Sequence, residues 1–310
     1  MERLVKDKIL EYHPDTLQYV RKTYNLDQPG AMDEAIDILD MWVQKQNHFV
    51  KKDYSRDYLE RTIIRSKGSV ERAKERLDKL CTSRPQIPDF FKEFDVRTSL
   101  LKDMEITFLP KLTKDHYRVY FARCVGNNFK SETFDAIYKR VIYMLEYLCA
   151  HDYSCGLLLV LDFQQMDLFE YLKHFNIVNM AHLINLMLSG YGFRIKGLHI
   201  ITNSKLIDSL MAIFKQVFSN KIAGRIQVFR NIEDFYENFD RNILPEEYCG
   251  QERSIVNLNQ QWMDILDSED HTIYMKNIKK AITIEELRIK DGIRNEHLGI
   301  PGTFRSLNMD

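Results

Sequence analysis

No stretch of this sequence approaches the roughly 18 consecutive apolar residues that would suggest a membrane span. The N-terminal MERLVKDKILEYHPD carries a charge every few residues and lacks the apolar core of a signal peptide. Net charge is almost absent: 44 Lys and Arg against 45 Asp and Glu leave −1. No global field therefore draws the chain to nucleic acid or to an anionic bilayer, and any electrostatic attraction must come from a local cluster. The cysteines Cys81, Cys124, Cys149, Cys155 and Cys249 are odd in number, scattered and without a C-x-x-C pair. That pattern argues against a disulfide framework or a zinc site and fits a reducing, cytoplasmic setting.

Catalytic signatures are missing too. The sequence has no G-x-S-x-G elbow, no Walker A loop and no H-E-x-x-H. Gly190-Tyr191-Gly192 runs into an expected strand rather than a helix N-terminus, which speaks against a dinucleotide site. His174 and His182 read as polar residues of a helix face, and His199, inside an apolar strand, as a hydrogen-bonded core residue. Asp162 ends a buried strand, a favoured place for a catalytic carboxylate in α/β folds. No second acid, base or metal ligand stands near it in sequence, so it reads as a structural partner. The expectation is a chain that is not an enzyme and needs neither metal nor cofactor.

What is present suits a folded protein of one large and one smaller domain: 310 residues, 45% hydrophobic and 29% charged. The first ninety or so residues read as helices. Ala35, Ile36, Leu39, Trp42 and Val43 recur at helical spacing, and Ser69 is placed to cap a helix over 69–80. Pro85 and Pro88 then oppose helix continuation, which puts a boundary near 84–95. Beyond it Arg118–Cys124 alternates like a strand, while Phe134, Tyr138, Val141, Ile142, Leu145 and Leu148 mark an apolar helical stripe. Leu157–Phe163 is apolar almost throughout, as a strand covered on both faces would be. A long helix over 168–188, a strand over Ile195–Ile201, a helix over 205–219 and a short strand over Ile226–Phe229 complete the order. Alternating strands and helices predict an α/β fold with a mainly parallel sheet. The expected divisions are a helical domain over 1–90, an α/β domain over 91–255 and a helix-and-loop extension over 256–310.

Four segments carry a family resemblance in the expected order: YLERTIIRSKGSVERA (58–73), GLLLVLD (156–162), YGFRIKGLHIIT (191–202) and LPEEYCG (244–250). Together they resemble the CRAL-TRIO family of lipid carriers, of the tocopherol-transfer and retinaldehyde-binding kind. The C-terminal GTFRSLNMD (302–310) is similar to the ending of insect-type members. Departures are Gly192, Gln165, Gln216 and Cys249, where the family favours Pro, Gly, Pro and Gly.

The resemblance implies an intracellular monomer that binds one small hydrophobic ligand, with retinoid, tocopherol or carotenoid as candidate classes. The ligand would lie under a movable amphipathic helix, Leu206–Phe218. The implied cavity residues are Tyr138, Val141, Ile142, Leu145, Leu159, Leu161, Leu183 and Met187, with Phe193, Ile195 and Leu198 from the strand. From the lid come Leu210, Phe214, Val217 and Phe218. Arg194 and Lys196 stand two apart on a strand, so both should point away from Phe193 and Ile195. Lys221 and Arg225 share a face if the lid helix continues that far. The resemblance implies that these four hold phosphoinositide headgroups at a membrane surface, a transient partner; no nucleic-acid partner is expected. The alternatives are a phosphoinositide-dependent membrane adaptor and, more remotely, a lipid-modifying enzyme using Asp162 or His199.

Overall fold

Helices dominate the first part of the chain because its apolar residues recur every three to four positions. The computed structural model describes residues 4, 6–127, 129–237 and 239–289, so the C-terminal GTFRSLNMD lies outside the described residues. Helices α1 (Thr16–Thr23), α2 (Ala31–Lys45), α3 (Arg56–Arg65) and α4 (Val70–Gln86) come first. The Ser55 and Ser69 hydroxyls cap α3 and α4, accepting from the Tyr58 and Arg72 amides at 3.2 and 3.3 Å. Helix α4 does not stop at residue 80 but runs through Pro85 to Gln86. Arg84 explains the difference: its buried ion pair with Glu146 holds that last turn in place against the local preference of proline.

Five strands follow: β1 (Met104–Phe108), β2 (Tyr117–Cys124), β3 (Gly156–Asp162), β4 (Ile195–Ile201) and β5 (Ile226–Phe229). They pair in that spatial order, β1 antiparallel to β2 and the rest parallel. The fold is therefore mixed α/β with a mainly parallel sheet, plus one short antiparallel edge strand, β1, outside the sequence reading. Helix α5 (Ser131–His151) crosses from β2 to β3. Between β3 and β4 the chain makes α6 (Leu168–His174) and α7 (Ile177–Asn185), not one long helix. Asn176 causes the break: it is extended, and its side chain accepts from the Val178 and Asn179 amides to start α7 afresh. A π turn, Leu186–Gly190, ends that segment.

Helix α8 (Ile207–Val217) stops where Phe218 turns extended, and α9 (Asn220–Ala223) is a separate single turn. The helix does not continue to Arg225, because Phe218 leaves it to be buried, so the condition for Lys221 and Arg225 to share a helix face is not met. Helices α10 (Ile232–Tyr236), α11 (Ile255–Leu266) and α12 (Glu269–Ile278) complete the chain. The sheet separates two apolar layers. Tyr120, Leu157, Leu198 and Ile200 face the layer that includes α5, α7 and α8. Val119, Phe121, Val160 and Ile201 face the other, with Phe235 of α10 and Tyr248. Helix α11 packs along β1, and the Trp262 indole donates to the Phe108 carbonyl at 2.9 Å, which covers the exposed sheet edge.

Buried arginines join the N-terminal helices to this sheet domain. Arg84 pairs with Glu146 of α5 at 2.7 Å and donates to the Ala281 carbonyl at 2.9 Å. The Glu146 carboxylate also accepts from the Tyr191 hydroxyl at 2.6 Å and the Tyr274 hydroxyl at 3.1 Å. Arg61 and Arg65 of α3 both reach the Cys149 carbonyl in the last turn of α5, where positive charge suits the helix dipole. Arg118 of β2 pairs with Asp152 just beyond that helix.

Glu146→Ala leaves Arg84 buried without its partner and should destabilise the protein by about 3–5 kcal/mol in urea unfolding. The double change Arg84→Met, Glu146→Leu should recover much of that loss, since no charge is then stranded; an equal loss in both variants would refute the pairing argument. Gly192 has φ +78°, closed to proline, so Gly192→Pro should cost about 2–3 kcal/mol; an unchanged melting temperature would contradict this geometry.

Candidate functional site

The layer between sheet and α5 is hollow. Met104 and Phe108 of β1, Tyr120, Ala122 and Cys124 of β2, and Leu157, Leu159 and Leu161 of β3 form its floor with Leu198 of β4. Helix α5 supplies one wall through Phe134, Ile137, Tyr138, Val141 and Leu145, which fall on one side of a helix. Met180, Leu183, Ile184 and Met187 supply another, with Phe163 and Tyr171 at one end. Phe214 of α8 and Phe218 just after it close the space. The centre of a water-sized sphere can range over about 110 Å³ inside. One water needs about 10–15 Å³ of such space and two to four polar partners. The room is there, but the walls are almost entirely hydrocarbon.

Ten of the fifteen apolar residues expected at a cavity line this one: Tyr138, Val141, Leu145, Leu159, Leu161, Leu183, Met187, Leu198, Phe214 and Phe218. Ile142 is fully buried on the flank of the α5 stripe, and Leu210 is fully buried on α8, but neither is in the lining. Val217 is only half-buried at the rim of α8. Phe193 turns towards the N-terminal helices, its ring 5.7 Å from the Arg65 guanidinium. Ile195 pairs with Leu157 outside the cavity wall. Sequence reasoning missed β1 altogether, and with it Met104 and Phe108. The alternation of Tyr120, Ala122 and Cys124 was visible, but alternation does not say which face is hollow.

Strand β4 departs from regular alternation. Its register jumps from Leu157–Ile195 to Leu158–Gly197, leaving Lys196 as the extra residue of a bulge. Ile195 and Leu198, three apart, therefore both face the α5 side. Arg194 lies just ahead of the strand, so the two cations do not share a face by simple strand geometry as expected. They converge all the same. The Lys196 stem crosses Gly156, where an added Cβ would meet it at 2.8 Å, and its ammonium sits 4.9 Å from the Tyr117 ring centre. Arg194 donates to the Cys155 carbonyl at 2.8 and 3.1 Å and lies 5.0 Å from the Tyr24 ring centre. Arg225 donates to the Ile195 carbonyl at 2.6 Å, and Lys221 is exposed.

Lys67, not singled out as a site residue from the sequence, joins them through its interactions with Arg194, Lys196 and Lys221. It occupies the turn between α3 and α4 in a left-handed conformation, φ +58°. Burial first, and then Arg72, Arg194, Lys221 and Arg76, lower its pKa from that of an ordinary lysine. Lys196 is lowered likewise, by burial and then by Arg194 and Arg225. Among the described residues none of Lys67, Arg194, Lys196, Lys221 and Arg225 has a salt-bridge partner. Lysines depressed by neighbouring cations mark a positive field that a bound anion would relieve.

Asp162, Tyr248 and the closing LPEEYCG loop form a structural unit. The Tyr248 hydroxyl donates to Asp162 at 2.5 Å, and the Gln164 amide donates to the other carboxylate oxygen at 2.8 Å. Burial raises the Asp162 pKa. Cys249 takes the left-handed conformation, φ 55°, that a glycine would adopt without strain. Gly250 admits no Cβ, because one would lie 1.8 Å from the Leu244 carbonyl oxygen. His199 stacks on Phe229 on the sheet face away from the cavity, and its Nδ1 has no partner among the described residues. The expected hydrogen bond is therefore absent at that nitrogen; aromatic packing holds the ring instead. His174 and His182 belong to two different helices, α6 and α7. Among the described residues no group of three or more His, Cys, Asp and Glu could hold a metal ion. No described helix is long and apolar enough to cross a membrane.

Residues 102–250 match the CRAL/TRIO domain. The chain is similar to the alpha-tocopherol transfer protein-like protein of Mus musculus, 24% identical over 217 residues, 67% of this chain and 62% of that protein. It is similar to the protein of the same name in Homo sapiens, 25% identical over 224 residues, 67% of this chain and 64% of that protein. Each match spans less than two thirds of the relative's length. The crystal structure of Sfh5 superposes with a TM-score of 0.46 at 11% identity, covering 87% of this chain and all of the other.

Two buried histidines set an acid limit. Burial pushes His199 down to about 4, and His271, enclosed by Tyr143, Tyr147 and Tyr274, down to about 4. Both are depressed in the folded state, so their contribution is complete above about pH 6.5 and is lost as pH falls towards 4. Within that window each should make stability fall by up to about 1.4 kcal/mol per pH unit. Urea unfolding between pH 7 and 4 should show this slope, and His199→Phe with His271→Phe should flatten it; a wild-type slope in the double variant would exclude these residues as its source.

Proposed function

We propose, from the match of residues 102–250 to the CRAL/TRIO domain, that the chain is a CRAL-TRIO carrier that holds one small hydrophobic ligand and releases it at phosphoinositide-bearing membranes. Members of the family bind and transfer small lipophilic ligands. The observation that carries the reading here is the apolar cavity between the sheet and α5. Protein interiors pack to the density of organic crystals, so a hydrocarbon-lined space beside a rigid sheet calls for an apolar occupant. Retinoid, tocopherol and carotenoid are the cargo classes, and the names of the mouse and human relatives favour tocopherol among them.

Helix α8 is suited to act as the gate. Its inner side carries Ile207, Leu210 and Phe214, its outer side Asp208, Ser209, Lys215 and Gln216, and Met211, Ile213 and Val217 line the rim. Moving it aside in water would expose Phe214 and Phe218 at several kcal/mol, by roughly 25 cal/mol per Å². Against a bilayer the same surface meets hydrocarbon and the penalty largely disappears. Lys221 and Arg225 follow Phe218 within a few residues, so an anionic headgroup held there would bind beside the gate. The basic cluster alone would also serve a membrane adaptor, which needs no cargo.

Mass spectrometry of an organic extract of the purified chain should yield one dominant lipophile near one per protein. Protein that binds phosphoinositide vesicles yet neither yields nor takes up a lipophile would favour the adaptor. For the basic cluster, Lys196→Gln with Lys221→Gln is the informative variant, because Arg194 and Arg225 also hold backbone carbonyls. At about 1 kcal/mol per lysine, binding to phosphoinositide vesicles should fall roughly thirtyfold at low salt and by less at high salt. Equal binding by variant and wild type at low salt would remove the headgroup role.

A further inference from the structure

Among the described residues the cavity lining is hydrocarbon or thioether except for four side-chain groups. Tyr120, Tyr138 and Tyr171 present phenols, and Cys124 a thiol. The Tyr171 hydroxyl has the other three as its electrostatic neighbours, so the four polar groups gather in one part of the space. The Cys124 thiol is engaged with the Met104 sulfur at 3.2 Å. Tyr138 is in a different position. Its side chain is 3% exposed, and its hydroxyl has no hydrogen-bond partner among the described residues. The rings of Phe90 and Phe134 flank it and offer no acceptor. Tyr191, Tyr153 and Tyr248, buried outside the cavity, are satisfied by Glu146, Glu60 and Asp162. An orphan hydroxyl carries its full desolvation penalty unless a partner arrives.

Among the described residues the lining contains no Lys, Arg, His, Asp or Glu. Arg140, whose charge is felt at Tyr120, stays outside it and donates to the Val96 carbonyl and to Asn259. Burial raises the Tyr138 pKa further above that of a free phenol, so the group is a neutral donor at any physiological pH.

We propose that the Tyr138 hydroxyl is the polar anchor of the cavity, donating a hydrogen bond to the hydroxyl or carbonyl oxygen of a neutral lipophile. The same lining discriminates against a carboxylate head, because an ion entering it would lose water and meet no counter-charge. This inference rests on the carrier reading and adds the head-group chemistry to it. The tail then lies among the aliphatic residues of β3, α5 and α7, where shape rather than polarity selects.

Retinol, its oxygen-free hydrocarbon axerophthene and retinoic acid separate the outcomes, titrated by fluorescence against wild type and Tyr138→Phe near neutral pH. The variant should bind retinol about tenfold more weakly while binding axerophthene unchanged or tighter, the loss expected for one neutral hydrogen bond. The ligand-free variant should melt no lower than wild type, since it loses no internal contact and sheds an unsatisfied hydroxyl. Wild type should bind retinoic acid at least about tenfold more weakly than retinol. Equal weakening of retinol and axerophthene, or a lowered melting temperature with retinol affinity retained, would make Tyr138 a packing residue and overturn the assignment. Retinoic acid bound as tightly as retinol would overturn the selectivity. If wild type binds none of these, nor α-tocopherol and squalene as a second pair, the carrier reading itself falls; oxygen-blind binding removes only the Tyr138 anchor.

Discussion

The ion pair between Arg84 and Glu146 is the contact on which the rest of the structure depends, because it stiffens a helix that has a hollow on its other side. Helix α5 lines the cavity through Tyr138, Val141 and Leu145, so along that stripe it lacks the dense packing of an ordinary core. Its grip must come from behind. Glu146, next to Leu145, takes Arg84 from α4, Tyr191 from the approach to β4 and Tyr274 from α12. Arg61 and Arg65 add a second hold at the Cys149 carbonyl. The N-terminal helices thus act as an outer brace for the cavity wall.

The other face of the sheet packs against Phe235 of α10 and Tyr248, and the contrast sorts the polar residues. Asp162 and His199 sit on that side, where Tyr248 satisfies the carboxylate and Phe229 stacks on the imidazole. Neither lines the cavity. The LPEEYCG loop closes over the end of β3 by that single Tyr248–Asp162 hydrogen bond, which joins two segments 86 residues apart. Cys249 keeps the backbone shape that glycine would take there at lower conformational cost.

The bulge at Lys196 connects the two halves of the candidate site. By adding one residue to β4, it lets Ile195 and Leu198 both face the α5 layer while Lys196 reaches across Gly156 towards Arg194 and Arg225. A regular strand would send either Ile195 or Leu198 to the opposite face. Lys67 enters the same cluster from the turn between α3 and α4, so the positive field is assembled from three separate segments of chain.

Local pattern determined much of the architecture. The alternation of Arg118–Cys124, the apolar runs at Leu157–Phe163 and Ile195–Ile201, and the stripe on α5 are visible in the residues themselves, because strand and helix periodicities are set by backbone geometry. The LPEEYCG and YGFRIKGLHIIT segments likewise carried the family likeness. What tertiary structure decided was which apolar residues border empty space. Ile142 and Leu145 are equally hydrophobic and three apart, yet only Leu145 meets the cavity, since that depends on what lies opposite. The same holds for α4 passing through Pro85, for the break at Asn176 and for the orphaned Tyr138 hydroxyl. Each is fixed by partners far away in sequence, and burial and hydrogen-bond satisfaction are properties of an assembled neighbourhood that no local window contains.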